Sequence, residues 1–172
     1  MKRLAALTPI LAFLALIGVF AGYLVTHRTP QVTPRAMVGK TAPPEMLPPL
    51  EGGAPVALSS ATGGPTLVNF FASWCAPCAQ EAPALAALKA QGVRIVGVAW
   101  KDDPANTQGF LARYGDPYAA RFADRDGRAG IDFGVSGVPE TYVIGADGKI
   151  LDKVAEPLTG DDANTLAAEV RR

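Results

Sequence analysis

The chain has 172 residues, with 16 basic and 16 acidic side chains and a formal net charge of zero. This balance excludes the strongly basic surface that nucleic-acid-binding proteins usually carry, so we expect no nucleic-acid partner. Hydrophobic residues make up 49% of the chain, which is ordinary for a globular protein, and the length suits one domain with an appendage.

The appendage is predicted at the N-terminus, where the run from Leu4 to Val25 holds no charged side chain. A helix of about 22 residues is roughly 33 Å long, enough for a hydrocarbon core of about 30 Å. We therefore predict that residues 1–25 form an uncleaved membrane anchor. A cleaved signal peptide is the alternative, since a weak cleavage site precedes Gly22. Lys2 and Arg3 before the run favour a cytoplasmic N-terminus with the domain outside the cytoplasm.

Proline marks the segment that follows, because residues 26–55 hold seven of the fifteen prolines. Proline fixes φ and lacks a backbone N–H, so this segment cannot be one helix or a central strand. We predict an extended tether over residues 26–40 and an irregular lead-in over residues 41–55 that lies on the domain. We expect the lead-in to bury its large apolar residues, Met46, Leu47 and Leu50.

Strands and helices alternate in the rest of the chain. Apolar runs predict strands at residues 55–59, 65–72, 93–100 and 118–124. Helices are predicted at residues 75–91, 104–114 and 159–171, with a short one inside residues 124–135. The stretch ETYVIGADGKILDKVA predicts a β-hairpin that turns at Asp147 and Gly148. The sum is an α/β fold with a mixed sheet of about five strands and helices on both faces.

The only two cysteines of the chain, Cys75 and Cys78, lie where a predicted strand meets a predicted helix. The unsatisfied N–H groups of a helix N-terminus favour negative charge, and the thiolate is the reactive form of cysteine. We therefore predict that Cys75 is the nucleophile. Cys78 falls one turn into the helix, within reach of Cys75, and would resolve a mixed disulfide.

Other roles for the cysteine pair fit the sequence less well. Zinc needs about four Cys or His ligands, but the chain has two Cys and one His, and His27 falls in the predicted tether. Covalent haem attachment requires His directly after the second cysteine, where Ala79 stands. A structural disulfide would constrain little chain entropy across so short a loop. A copper chaperone would need a further soft ligand. We expect neither a metal nor a cofactor.

The stretch LVNFFASWCAPC, which ends at Cys78, resembles the active-site segment of the thioredoxin superfamily. Pro83 falls at the position of that family's helix-kinking proline, and GVSGVPET resembles the loop that carries its cis-proline, here Pro139. The resemblance implies a thioredoxin-like domain over residues 41–172 and a redox disulfide between the two cysteines. It also implies that Val138 and Pro139 form the substrate platform.

Over residues 39–159 the chain resembles one group within this superfamily, the CcmG/DsbE-type thiol:disulfide interchange proteins. WCAPCAQEAP is similar to their motif, Asn69 stands where thioredoxins usually carry a buried aspartate, and Glu140 is an extra acidic residue after the cis-proline. Glu156 departs from the family pattern, which more often has glycine before the proline of this loop. The family comprises membrane-tethered periplasmic reductases of cytochrome c maturation. The resemblance therefore implies the bacterial inner membrane as location, apocytochrome c disulfides as substrates, and a membrane thiol reductant of the CcdA or DsbD kind.

Several polar residues near the motif are open to two interpretations. Glu81 or Glu140 would accept or relay the proton of Cys78, since Asn69 cannot titrate, or both would be solvated surface charges. Trp74 is expected to shield the Cys75 sulfur and to shape the substrate groove. The acidic stretch after the third predicted strand is expected to supply loop and helix-cap residues, Lys101, Asp102 and Asp103.

The sequence thus predicts a membrane-anchored thiol-disulfide oxidoreductase that reduces apocytochrome c for haem attachment. A general or copper-centre-directed periplasmic reductase of the same superfamily is the closest alternative. A redox-inert module that only holds a peptide in the groove is a different class of function, and the intact cysteine pair argues against it.

Overall fold

The computed structural model describes residues 13–20, 22–23 and 37–170, and the first two of these stretches are helical. The predicted anchor and the predicted tether, residues 1–25 and 26–40, therefore lie largely outside the described residues. No helix within the described ranges is long and apolar enough to cross a membrane. The chain divides into two compact units, residues 1–33 and 34–172, and the second carries the cysteine pair.

The second unit contains seven strands and five helices within its described residues. The strands are β1 Met46–Leu47, β2 Val56–Ala57, β3 Thr66–Phe71, β4 Ile95–Trp100, β5 Ala120–Asp124, β6 Glu140–Ile144 and β7 Ile150–Val154. The helices are α1 Leu58–Thr62, α2 Ala76–Ala90, α3 Pro104–Tyr114, α4 Arg128–Phe133 and α5 Gly160–Val170. The fold is thioredoxin-like, as predicted. Among these elements, the prediction from sequence missed only β1 and α1, the short helix that directly follows β2.

Five strands form the central sheet in the order β5-β4-β3-β6-β7. β3, β4 and β5 are parallel, whereas β6 runs antiparallel to both β3 and β7. The two parallel crossovers need long connections, which α2 and α3 supply, and the hairpin between β6 and β7 needs only a turn. The predicted mixed sheet of five strands is confirmed.

Local sequence signals explain where the helices begin and end. The Asp103 carboxylate accepts a hydrogen bond from the Ala105 N–H at 2.9 Å and so caps α3. Pro104 occupies the first helical position, where its missing N–H costs nothing. Gly92, just past the end of α2, has φ 80°, a conformation that glycine adopts without steric cost.

The two faces of the sheet carry separate hydrophobic cores. One face, which we call the active-site face, packs against α2 and α5 through Leu85, Leu88, Ala163 and Leu166. The other, the opposite face, packs against α1 and α4 through Leu58, Ala61, Ala129 and Phe133. Successive residues of a strand point to alternate faces, so neighbouring positions on β3 and β6 belong to different cores.

The last residues of the predicted tether and most of the lead-in lie against the domain and reach both edge strands of the sheet; we call residues 39–50 the strap. At one end the Gly39 N–H donates to the Ile150 carbonyl at 2.7 Å, on the outer edge of β7. At the other end the Leu50 N–H donates to the Arg121 carbonyl at 3.0 Å, on the outer edge of β5. Leu47 and Leu50 are buried, as predicted.

The expectation that Met46 is buried was wrong, because its side chain is 58% exposed. Met46 and Leu47 form the short strand β1, which pairs with β2. Side chains alternate along a strand, so burying Leu47 against the sheet turns Met46 toward solvent.

Candidate active site

The cysteine pair lies at the N-terminus of α2, as predicted. Cys75 and Cys78 form a disulfide, with their Cα atoms 5.3 Å apart. Cys75 is the residue that precedes the helix, and its Sγ accepts a hydrogen bond from the Cys78 N–H at 3.1 Å. The same N–H group would stabilise a thiolate on Cys75 after reduction, which favours this sulfur as the nucleophile.

A loop from the C-terminal half of the chain lies against the disulfide. The peptide bond between Val138 and Pro139 is cis, as the resemblance implied. The carbonyl oxygen of Val138 lies 3.4 Å from the Cys75 Sγ. Pro139 is buried and Val138 is half-buried, and the Val138 carbonyl oxygen is the loop atom that contacts the Cys75 sulfur at this distance.

Glu81 is fully buried on α2, which rules out its interpretation as a solvated surface charge. It lies three residues after Cys78, and side chains at that spacing are neighbours about 5–6 Å apart at Cβ. Burial raises the pKa of Glu81 to about 7, although hydrogen bonds from the Leu158 N–H and the Asn69 amide oppose the rise. A carboxyl group with this pKa can both accept and donate a proton near neutral pH.

The Asn69 side chain holds Glu81 in place from β3. Its amide nitrogen donates to the Glu81 Oε1 at 3.0 Å and to the Thr141 hydroxyl at 3.0 Å. Its amide oxygen accepts from the Tyr118 hydroxyl at 2.7 Å, which fixes the orientation of the amide. The second carboxylate oxygen of Glu81 accepts from the Leu158 N–H at 3.2 Å. The loop that departs from the family pattern at Glu156 therefore still supplies a partner for Glu81.

Glu140 is also buried, so its interpretation as a surface charge is wrong as well. Its Oε2 lies 2.8 Å from the Lys153 Nζ, and both side chains are almost fully inaccessible to solvent. Its Oε1 accepts from the backbone N–H and the hydroxyl of Ser136, at 3.0 and 2.6 Å. Lys153 also donates to the Gly134 carbonyl at 2.9 Å. The ion pair therefore anchors the segment that leads into the cis-proline loop.

The two glutamates face opposite sides of the sheet. Glu81 bonds to Asn69, whose cross-strand neighbour on β6 is Thr141. Glu140 pairs across the strands with Phe70, which belongs to the core of the opposite face. The structure thus brings Glu81 to the cysteine side of the sheet, and it places the Glu140 carboxylate in an ion pair on the other side.

Trp74 and the loop after β4 complete the surroundings of the cysteines. Trp74 directly precedes Cys75, and its side chain is 59% exposed. Its indole N–H donates to the Lys101 carbonyl at 3.2 Å. Asp103 is a helix cap, as expected, whereas Asp102 is buried and bonds to Ser73 in the active-site loop. No sequence signal distinguishes Asp102 from its charged neighbours Lys101 and Asp103.

This geometry suits two-electron exchange between thiols and a disulfide. Three features together define a thioredoxin-fold oxidoreductase. They are a disulfide with one sulfur at a helix N-terminus, a cis-proline loop against that sulfur, and the buried, titratable carboxyl group of Glu81 one helical turn after Cys78. Within the described residues, no group of three or more His, Cys, Asp or Glu side chains is placed to hold a metal ion.

Comparison with known proteins identifies the family. The redoxin family model matches residues 37–169, so the chain belongs to the redoxin family. Within that family it is one of the DsbE-type thiol:disulfide interchange proteins. It is 46% identical over 155 residues to the thiol:disulfide interchange protein HelX of Rhodobacter capsulatus, covering 89% of this chain and 87% of HelX. It is 36% identical to DsbE of Escherichia coli, covering 87% and 84%. The protein is a thiol-disulfide oxidoreductase.

Solved structures agree with this assignment. A secreted Mycobacterium tuberculosis disulfide oxidoreductase, described as homologous to Escherichia coli DsbE, superimposes with a TM-score of 0.65 and 27% identity. The match covers 73% of this chain and 96% of that chain. A DsbE-like protein from Chlorobium tepidum superimposes with a TM-score of 0.64 at 29% identity, covering 77% and 96%.

Selective alkylation tests the assignment of the nucleophile. In the reduced protein we expect Cys75 to react first with iodoacetamide and Cys78 to react slowly, because the Cys78 N–H points at the Cys75 sulfur. Mass spectrometry of peptides from protein labelled briefly at several pH values measures both rates. Faster labelling of Cys78 would reverse the two roles.

Proposed function

We propose that the protein is a membrane-anchored reductase that acts outside the cytoplasm on disulfides of apocytochrome c before haem attachment. The observation that carries the proposal is the Cys75–Cys78 disulfide held between a helix N-terminus and the Val138–Pro139 loop. Its similarity to the interchange proteins HelX and DsbE supports the reaction type. The family resemblance of the sequence supports the choice of substrate.

The reaction begins with the reduced protein. The Cys75 thiolate attacks one sulfur of the substrate disulfide, which forms a mixed disulfide and releases the other substrate sulfur as a thiolate. Cys78 then loses its proton and attacks the Cys75 sulfur, which releases the second substrate thiol. Two electrons have then passed to the substrate, and the Cys75–Cys78 disulfide seen in the structure remains. A thiol reductant of the CcdA or DsbD kind in the membrane restores the dithiol.

Each neighbouring residue has a proposed part in this cycle. Glu81 is the base that takes the Cys78 proton, because it lies one helical turn away in a buried site. Val138 and Pro139 form the platform on which an extended substrate segment lies. Trp74 covers the approach to the Cys75 sulfur.

The proposed location follows from the N-terminal sequence. The uncharged run from Leu4 to Val25 would anchor the protein in the bacterial inner membrane, with the reductase domain facing the periplasm. N-terminal sequencing of the protein in the membrane fraction tests this, and a mature chain that starts near Gly22 would contradict the anchor.

Trapping of the mixed disulfide tests the substrate. Cys78→Ala protein cannot resolve, so we expect it to remain bonded through Cys75 to its substrates in cells that make c-type cytochromes. Mass spectrometry of the trapped species identifies them, and the double variant Cys75→Ala/Cys78→Ala is the control that should trap nothing. Apocytochrome c among the trapped proteins supports the proposal. A wide set of unrelated periplasmic proteins, or a copper-centre protein alone, would favour the general or copper-directed reductase.

The redox-inert binding module, the other class of function considered from the sequence, disagrees with the membership of this chain in the DsbE-type thiol:disulfide interchange proteins. Reduction of insulin by the dithiol form of the protein distinguishes the two, because a binding module would leave insulin oxidised. We expect reduction that disappears in Cys75→Ala protein.

A further inference from the structure

The carboxylate of Asp102 is shared between the active-site loop and α3. Asp102 is 7% exposed. Its Oδ2 accepts from the Ser73 N–H at 2.6 Å and from the Thr107 hydroxyl at 2.8 Å. Its Oδ1 accepts from the Ser73 hydroxyl at 2.8 Å and from the Asp103 N–H at 2.9 Å. Two of the four donors thus belong to Ser73, which lies two residues before Cys75.

Lys101 directly precedes Asp102 in the loop after β4, and it contacts the active-site loop through its backbone. Among the described residues, Lys101 is the only one other than glycine with a positive φ, at 50°. Such conformations are sparsely populated and tend to occur at functional sites. The Lys101 N–H donates to the Asp124 carbonyl at 2.8 Å, and the Lys101 carbonyl accepts the Trp74 indole N–H. Lys101 and Asp102 therefore bind Trp74 and Ser73, respectively.

More than half of the Trp74 surface is open to solvent. Trp74 is 59% exposed, and its ring lies beside that of Trp100, with 6.2 Å between the centroids. An exposed ring loses little buried surface when it rotates, so packing alone would not fix its direction.

We propose that Lys101 and Asp102 act as a positioning device that fixes the Trp74 indole beside Cys75. The device gives the substrate a preformed wall instead of a ring that must be ordered on binding. The hydrogen bonds hold Trp74 in this orientation whatever reaction the protein carries out. The effect of Trp74 on a protein substrate, in contrast, rests on the reductase function proposed above.

The contacts of Asp102 require a carboxylate and not an amide. Each of its two oxygens faces one backbone N–H, from Ser73 on one side and from Asp103 on the other. Whichever way an asparagine side chain turned, its NH₂ group would face one of these donors. Asp102→Asn should therefore loosen the active-site loop with a change of very few atoms.

Fluorescence of Trp74 tests the device directly. The chain has two tryptophans, so Trp100→Phe leaves Trp74 as the only fluorophore while keeping an aromatic neighbour. In full-length protein that carries Trp100→Phe, we expect Asp102→Asn to lower the anisotropy of Trp74. Thr107→Val is the matched control, because it removes a hydroxyl donor from the same carboxylate on the helix side. It should leave the anisotropy of Trp74 unchanged.

Kinetics give the second readout. With insulin as substrate, we expect Asp102→Asn to raise KM about tenfold and to change kcat much less, since it disturbs the groove and not the cysteines. If Asp102→Asn does not fold, Ser73→Ala replaces it; it removes one donor from the loop side and should give a smaller drop in anisotropy.

The two proposals fail in different ways. Unchanged anisotropy of Trp74 in the folded Asp102→Asn protein, or in Ser73→Ala if that variant replaces it, would overturn the positioning device. An equal drop in Thr107→Val would also overturn it. Failure of the unmodified protein to reduce insulin would instead contradict the reductase function and leave the anisotropy result intact.

Discussion

Lys153→Met should lower the free energy of unfolding by about 3–5 kcal/mol, because it leaves the buried Glu140 carboxylate without its cation. Methionine keeps most of the apolar length of lysine, so loss of volume contributes little. Denaturant unfolding followed by circular dichroism measures the change. Lys149→Met is the matched control on the same hairpin, since Lys149 pairs with Asp147 in a solvent-exposed salt bridge. Such pairs contribute less than about 1 kcal/mol.

The double variant Lys153→Met/Glu140→Gln separates charge from shape. It removes both members of the ion pair, so part of the lost stability should return. A double variant as unstable as Lys153→Met would show that the buried charge is not the cause. The Glu140→Gln variant alone is a poor test of catalysis, because it leaves the Lys153 ammonium group buried and unpaired.

The same double variant tests the predicted proton-transfer role of Glu140 against support of the substrate loop, a role that its contacts with Ser136 suggest. Unchanged rates with a small disulfide and a lower rate with an apocytochrome peptide would indicate that Glu140 supports the substrate loop through Ser136. A lower rate with both would support the role in proton transfer. Its place on the opposite face of the sheet favours the first result.

Glu81→Gln should slow release of the reduced substrate at neutral pH by about 10²-fold, the low end of general acid–base catalysis. Glutamine keeps the size of the side chain but cannot take the Cys78 proton. A single-turnover experiment that follows decay of the mixed disulfide measures this step. Glu156→Gln is the matched control, because Glu156 is exposed in the loop next to Leu158. An unchanged decay rate in Glu81→Gln would exclude Glu81 as the base.

Glu81 should also make the stability of the oxidised protein depend on pH. Its folded-state pKa, about 7, lies above the ordinary value for glutamate, so the folded protein binds the extra proton between the two values. Stability from this group is therefore present at low pH and is lost as pH rises from about 4 to about 7, by roughly 3 kcal/mol in all. Glu81→Gln should remove this slope, which unfolding curves at several pH values would show.

Much of the fold was predictable because local signals and burial agree. The α3 helix has a capping aspartate, a proline at its first position and glycine after its end, and its predicted bounds match the structure. The nearly continuous apolar run of β3 is buried on both faces, as a central strand requires. Glu81 carried a signal that the prediction did not use: it falls on the same helical stripe as the buried residues Cys78, Leu85 and Leu88.

Lys153 was not predictable from its strand. Alternation would place Ile150 and Lys153 on different faces, because they are three residues apart. A register shift in the pairing of β6 with β7 adds one residue, so both face the core of the opposite side. Asp102 was not predictable for another reason: its partner Ser73 lies 29 residues away in the chain, and only the folded sheet brings the two loops together.

The strap has a consequence for where the protein can be cut. By pairing with Ile150 on one outer strand and Arg121 on the other, it occupies backbone groups on both margins of the sheet that could otherwise recruit a strand from another molecule. A fragment that begins at Glu51 would retain every active-site residue named above, yet it would present two open margins. Such a fragment should self-associate, whereas one that begins at Pro34 keeps both margins closed and should stay monomeric at the same concentration.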